Sequence, residues 1–128
     1  MSMIKNMGLA WVAVADVKRA KKFFVEDLGL TLVTDNEEHG WLELAPEDGM
    51  FMLGVGKACD ETGKEVSAGS NAIVTMTVDD IVEAKALLEK KLVKIIGDII
   101  EIPGHVKMLM FTDYDSNKFQ LVEMLDEQ

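Results

Sequence analysis

The chain has 128 residues, 48% of them apolar and 28% charged, which suits one globular domain. No apolar run approaches the roughly 20 residues that a membrane span needs, and the N-terminal residues do not resemble a secretory signal. The formal net charge of −10 disfavours nucleic acid as a partner and would attract a cationic ligand, although acidity also simply keeps a protein in solution. The single cysteine, Cys59, excludes an internal disulfide and fits a cytoplasmic location.

The first half of the chain predicts a strand, a helix and three further strands. A β-branched run ends at Val14, and Asp16 stands where its carboxylate can cap the N–H groups of a first helical turn. Gly29 is expected to end this helix. The three further strands are expected at about 30–34, 40–44 and 49–55. The buried helix positions are expected to be Val17, Ala20, Phe23 and Phe24.

The second half repeats this pattern after a linker. Asp80 stands 64 residues after Asp16, in the same relation to a β-branched strand and an apolar helix face. We expect one domain over residues 1–128, with module one at about 4–56, a linker at about 57–70 and module two at about 71–126. The second helix is expected to bury Ile81, Ala84, Leu87 and Leu88.

Three strands follow the second helix, at about 93–96, 106–112 and 119–124. Residues 113–117, rich in Asp, Ser and Asn, predict the turn between the last two strands. Residues 98–103 fit a strand and a loop equally well.

Three segments, taken in order, carry a family resemblance. They are Val14-Ala15-Asp16-Val17, the Phe23–Leu30 segment that contains Leu28-Gly29-Leu30, and the Phe111–Glu123 segment with its Asp-x-Asp-x-Asn turn. Together they resemble the glyoxalase/bleomycin resistance/extradiol dioxygenase (vicinal oxygen chelate) superfamily over essentially the whole chain. The resemblance implies an α+β fold of two βαβββ modules, whose curved mixed sheets enclose a cavity, and it implies a homodimer.

Metal-using members of that family place ligands on the first and last strands of each module. The resemblance maps those positions onto Leu9, Ile73, Gln120 and a fourth near Met52, within about two residues. Leucine and isoleucine have no lone pair to offer, methionine is a weak ligand for hard divalent ions, and Gln120 offers one neutral oxygen. The sequence therefore predicts that the metal site is lost and that no cofactor is bound. The alternative is a relocated metal site that uses His39, Glu43, His105 or Glu123.

Strand alternation predicts which side chains line the cavity. If Leu9 faces inward, Trp11 does too, and Trp41 and Glu43 share a strand face opposite two leucines that suit the helix side. The competing interpretation is that these side chains fill a collapsed core, with Glu43 at its rim. The predicted ligand-binding residues are Leu9, Trp11, Trp41, Glu43, Met52, Ile73, Thr75, Met110 and Gln120.

Such a pocket suits a flat or partly cationic small organic molecule. The resemblance then favours a metal-free binding protein, similar in plan to bleomycin-resistance proteins, with no catalytic residues. The first alternative is a glyoxalase-like lyase, isomerase or dioxygenase that uses a relocated metal to polarise its substrate. The second alternative is a structural or regulatory domain with no small ligand.

Overall fold

The structure is a computed structural model that describes residues 9–58, 68–69 and 72–125. The chain separates into two compact units, whose boundary in sequence lies between Ala68 and Gly69. Cys59, most of the predicted linker and the predicted outer ends of the modules lie outside the described residues. Within the described ranges, no helix has the length and apolar character that crossing a membrane requires.

The first module has the predicted order of one strand, one helix and three strands. Its elements are β1 (Ala10–Val14), α1 (Val17–Lys21), a π-helical segment (Lys22–Asp27), β2 (Thr31–Asn36), a 3-10 turn (Glu37–His39), β3 (Trp41–Ala45) and β4 (Leu53–Lys57). The strands form one mixed sheet in the order β1-β4-β3-β2, in which β1 runs parallel to β4 and the other neighbours are antiparallel.

The second module repeats that plan. Its sheet has the order β5-β8-β7-β6, again with the first and last strands parallel. The predicted α+β fold of two βαβββ modules with mixed sheets is therefore confirmed, and neither sheet closes into a barrel. The elements are β5 (Val74–Thr77), α2 (Ile81–Lys90), β6 (Lys94–Ile102), β7 (Val106–Thr112) and β8 (Lys118–Met124).

Both helices begin at the predicted aspartates. Asp16 Oδ1 accepts hydrogen bonds from the backbone N–H groups two and three residues further on, at 3.0 and 3.2 Å. Asp80 Oδ1 does the same at 3.0 and 3.1 Å. In the second module, Glu123 on β8 adds a third acceptor, since its Oε1 lies 2.9 Å from the backbone N of Ile81. These carboxylates satisfy N–H groups that have no partner inside the helix.

The two helices end differently. The π-helical segment leads to Gly29, which has φ +79° and donates its N–H to the carbonyl of Val25 at 3.1 Å. Gly29 therefore ends the first helix as predicted. In the second module the corresponding left-handed position is occupied by Leu92, with φ +62°. A leucine there carries a steric cost that glycine does not.

Each module buries apolar side chains between its helix and its sheet. In the first, Phe23 and Phe24 are packed edge to face with centroids 5.0 Å apart, and both are fully buried. In the second, Ile81 and Leu88 of α2 are buried, and so are Phe111 and Phe119, whose rings are stacked with centroids 5.5 Å apart.

The prediction that Leu87 is buried is wrong, since its side chain is 52% exposed. Leu87 lies six residues after Ile81 and is therefore rotated from it by about 120° around the helix axis. Ile81, Ala84 and Leu88 form the narrower stripe that faces the sheet.

Two strand boundaries differ from the predictions by four residues or more. β4 begins at Leu53 rather than at residue 49, because Asp48 Oδ1 accepts from the backbone N of Met50 at 2.9 Å and holds that segment in a turn. β6 continues to Ile102, so most of the ambiguous segment 98–103 is strand, with an irregularity between Ile96 and Ile100.

The turn between β7 and β8 is built on a buried aspartate. Asp113 Oδ1 accepts from the backbone N of Asp115 and of Asn117, both at 2.9 Å, and its Oδ2 accepts from Asn117 Nδ2 at 2.9 Å. Burial raises the pKa of Asp113, while the hydrogen bonds from Asn117 oppose that rise. Asn117 Oδ1 in turn accepts from the backbone N of Gly69 at 2.8 Å, so the turn also holds the start of the second module.

Candidate functional site

Two tryptophans lie over two glycines on one face of the first module's sheet. The register places Trp11 beside Gly54, and Trp41 beside Gly56. The indole centroids are 5.8 Å apart, with the ring planes at 62°. A Cβ on Gly54 would lie 2.5 Å from Trp41 Cη2, and one on Gly56 would lie 2.9 Å from Trp11 Cζ3. The indoles therefore lie directly on the backbone of β4, which glycine alone permits.

A carboxylate completes this surface. Glu43 Oε2 accepts from Trp41 Nε1 at 3.1 Å, and its Oε1 accepts from Thr34 Oγ1 at 2.9 Å. Each oxygen keeps a further acceptor position. Across the part of the chain that the structure describes, no cationic side chain forms an ion pair with Glu43. We call this surface the tryptophan face; it consists of Trp11, Thr34, Trp41, Glu43, Gly54 and Gly56.

The tryptophan face is separate from the buried core of its module. Trp11 is 37% exposed, and Trp41 and Glu43 are half-buried. Leu42 and Leu44, on the opposite side of β3, are fully buried. Contacts within the first module thus hold the aromatic rings and the carboxylate in place, and these groups remain partly exposed.

Leu9 and Met52 lie just before β1 and β4, and both are half-buried. The backbone N of Ala10 donates to the carbonyl of Met52 at 3.4 Å, and this hydrogen bond holds the starts of β1 and β4 together. Neither has a role in the hydrogen bonds of the tryptophan face.

The register identifies the counterpart of Gln120 in the first module. Thr75 pairs with Gln120 in the parallel ladder of the second module, and Trp11 pairs with Gly54 in that of the first. The fourth ligand position of the family therefore falls on Gly54, two residues beyond Met52. Glycine offers no side-chain donor there.

The second module presents an amide on the equivalent face. Thr75 Oγ1 donates to Gln120 Oε1 at 3.0 Å, and Gln120 Nε2 lies 3.5 Å from Met108 Sδ. Met110 pairs with Gln120 on the neighbouring strand, and Ile73 is 46% exposed. The one oxygen that Gln120 offers is thus already a hydrogen-bond acceptor.

The donors at the family's ligand positions do not suit a divalent metal. Leu9, Gly54 and Ile73 supply no donor atom, and one neutral amide oxygen does not hold such an ion. Among the described residues, no group of three His, Cys, Asp or Glu side chains is arranged to hold a metal ion. Of the side chains considered for a relocated site, Glu123 caps α2 and His39 Nδ1 contacts Asn36 Oδ1 at 2.9 Å. His105 is exposed in the turn before β7.

A concavity of about 630 Å³, separate from the tryptophan face, lies between the start of α1 and the 3-10 turn of the first module. It is lined by side chains of both charges, among them Lys18, Glu37 and Lys57, and by neither tryptophan. The sequence did not predict this concavity.

Sequence reasoning missed Thr34, Gly54 and Gly56. The glycines carry a signal that points to them, because two glycines at alternate positions of an apolar strand mark a close approach of other groups to the backbone. Thr34 carries no such signal, since an irregularity in the pairing of β2 with β3 sets its register with Glu43.

Comparisons with known proteins agree with this architecture. The family model of the Glyoxalase/Bleomycin resistance protein/Dioxygenase superfamily matches residues 7–121. The uncharacterized protein YetH of Bacillus subtilis (strain 168) is 27% identical over 124 residues, which cover 94% of this chain and 100% of that protein.

Solved structures show the same fold. TnmS3, an antibiotic binding protein from Streptomyces sp. CB03234, is 28% identical with a TM-score of 0.79, over 97% of this chain and 99% of that chain. A superfamily member from Sphaerobacter thermophilus DSM 20745 is 24% identical with a TM-score of 0.77, over 95% and 99% of the two chains. The chain belongs to the glyoxalase/bleomycin resistance protein/dioxygenase superfamily.

Proposed function

We propose that this protein binds a small, flat, positively charged organic molecule on the tryptophan face, without a metal ion and without transforming it. The observation that carries the proposal is the pair of accessible indoles beside a half-buried carboxylate that no cation of the described residues neutralises. A positively charged ligand would neutralise the Glu43 carboxylate.

The chemistry of the face sets the ligand class. A cation over an indole gains about 0.5–2 kcal/mol, and a hydrogen bond to a charged group contributes about 1.5–3 kcal/mol. Glu43 keeps acceptor positions for an N–H group of the ligand, because Thr34 and Trp41 occupy one position on each oxygen. A flat cation with an N–H group therefore matches the face better than a neutral or anionic ring.

Two further observations support binding rather than metal-dependent catalysis. The family's ligand positions, as the resemblance maps them, carry hydrocarbon, glycine or an amide, and one amide oxygen is too few donors to hold the metal ion that metal-using members need as an electrophile. TnmS3, which shares the fold at 28% identity, is described as an antibiotic binding protein.

The test uses three ligands that share one ring system and differ in charge: 9-aminoacridine as the cation, acridine as the neutral ring and acridine-9-carboxylate as the anion. Titration calorimetry at pH 7 should show the cation binding at least about tenfold more tightly than the neutral ring, a difference of 1.4 kcal/mol. Glu43→Gln should remove that preference, because the glutamine oxygen can accept from Trp41 Nε1 and its amide can donate to Thr34 Oγ1, so that both contacts remain without the charge.

Glu47→Gln is the matched control, since Glu47 is an exposed glutamate outside the tryptophan face. It changes the net charge by the same amount and should leave the affinities unchanged. Equal affinities for all three acridines would contradict the proposal. So would a full equivalent of zinc, nickel, iron or manganese in the purified protein whose removal abolishes binding.

We also infer that the protein is a homodimer, as the family resemblance implies, and that it is cytoplasmic, which its single cysteine fits. Sedimentation equilibrium should then give twice the chain mass at micromolar concentration. A single-chain mass would contradict the dimer and leave the ligand proposal intact, because every residue of the tryptophan face lies in one module.

A further inference from the structure

We infer that Gly54 and Gly56 determine the specificity of the tryptophan face, because the Trp41 ring lies in the space that a side chain at position 54 would enter. The inference rests on the proposed function for the ligand. The placement of the rings can be tested without any ligand.

The contacts at Gly54 leave no space for a side chain. A Cβ there would lie 2.5 Å from Trp41 Cη2, 2.8 Å from Trp41 Cζ2 and 2.9 Å from Trp11 Cβ. Distances under 3.0 Å force something to move. The Trp41 ring has little freedom to do so, because Glu43 holds its Nε1 and Trp11 packs against it.

Gly56 is the next residue of β4 on the same face, and both rings approach its backbone closely. A Cβ there would lie 2.9 Å from Trp11 Cζ3 and 3.1 Å from Trp41 Cε3. The two glycines together form a floor on which both indoles lie against the backbone of β4. Neither indole can take this position over a strand that carries side chains on that face.

The comparison between modules shows what the floor replaces. Gln120 projects an amide from the second module's last strand, whereas Gly54 projects nothing, and an indole from the neighbouring strand covers its position. A ligand on the first module therefore meets aromatic carbon where the second module offers a hydrogen-bonding group. The indole in place of the amide is what makes the first module favour a flat aromatic ligand.

The test is a double-mutant cycle of Gly54→Ala and Trp41→Ala in the full chain. Gly54→Ala alone should lower the urea midpoint and weaken 9-aminoacridine binding by at least about tenfold. In the Trp41→Ala background, Gly54→Ala should lower the urea midpoint much less, because the two clashes with the Trp41 ring are gone and only the 2.9 Å approach to Trp11 Cβ remains. If Gly54→Ala alone fails to fold, recovery of folding in the double variant supports the same conclusion.

A spectroscopic measurement follows the rings directly. Trp11 and Trp41 are the two tryptophans of the chain, and indoles this close give a coupled pair of circular dichroism bands in the far ultraviolet. Gly54→Ala and Gly56→Ala should each remove the couplet. Lys57→Ala, at an exposed position of the same strand, is the control and should preserve it.

Two results would overturn the inference, and each identifies a different failure. If the Gly54→Ala variant binds 9-aminoacridine as tightly as the wild-type chain and keeps the couplet, the specificity role is refuted and the proposed function stands. A wild-type chain that binds none of the three acridines refutes the proposed function, and the specificity role falls with it.

Discussion

Asn117 is fully buried, and its carboxamide is bonded on both sides. Its Nδ2 donates to Asp113, and its Oδ1 accepts from the backbone of Gly69, 48 residues earlier in the chain. We expect Asn117→Ala to lower the free energy of unfolding by about 3 kcal/mol, because it removes the acceptor of the Gly69 backbone N–H and the hydrogen bond from Asn117 Nδ2 to Asp113 Oδ2. Urea denaturation measures the loss. Ser116→Ala, at an exposed position of the same turn, should change stability by less than about 0.5 kcal/mol, and equal losses would contradict this assignment.

Local chemistry decided which residues could be predicted from the sequence. Asp16 and Asp80 were recognisable because a capping carboxylate bonds to N–H groups two and three residues away. The role of Gly54 was not recognisable in the same way, because it depends on a tryptophan from another strand. Glu43 was placed on the correct side of its strand by alternation, but its contact with Thr34 depends on the irregular pairing of β2 and β3.

The ends of the two helices show the same division between local and tertiary effects. Gly29 supplies the left-handed residue after the first helix, and Leu92 supplies it after the second. A non-glycine residue in this conformation costs about 1–2 kcal/mol. The predicted helix end at Gly29 followed from this preference, whereas the π-helical segment before it has no comparable signal in the sequence.

We expect Leu92→Gly to raise the free energy of unfolding by about 0.5–1 kcal/mol, since the gain from removing the strain exceeds the added freedom of the unfolded chain. Leu92 is 90% exposed, so the loss of its side chain removes little packing. Thermal and urea denaturation measure the change. Val82→Gly, an exposed position inside α2, should be destabilising instead, and a stabilising effect there would contradict the argument from backbone conformation.

The net charge of −10 belongs to the whole chain and acts on a charged ligand from a distance. We expect the association rate of 9-aminoacridine to fall at least about threefold between 0.01 and 0.3 M ionic strength, as the Debye length shrinks from about 30 Å to below 10 Å. The rate for neutral acridine should remain constant. Stopped-flow quenching of tryptophan fluorescence measures both, and an equal fall for the two rings would show that the charge of the chain does not steer the ligand.

The correspondence between the modules has a consequence for engineering. The two modules differ most in length between their second and third strands. Ile96 lies 62 residues after Thr34, whereas Met110 lies 67 residues after Glu43, so this part of the second module is five residues longer. The second module therefore carries its added length in the β6–β7 hairpin, whose turn lies at residues 103–105. That turn is the natural place to insert an affinity tag or a fluorophore, because its residues are exposed and none of them belongs to the tryptophan face. The equivalent pairs are Asp16 and Asp80, Gly29 and Leu92, Thr34 and Ile96, Glu43 and Met110, and Gly54 and Gln120.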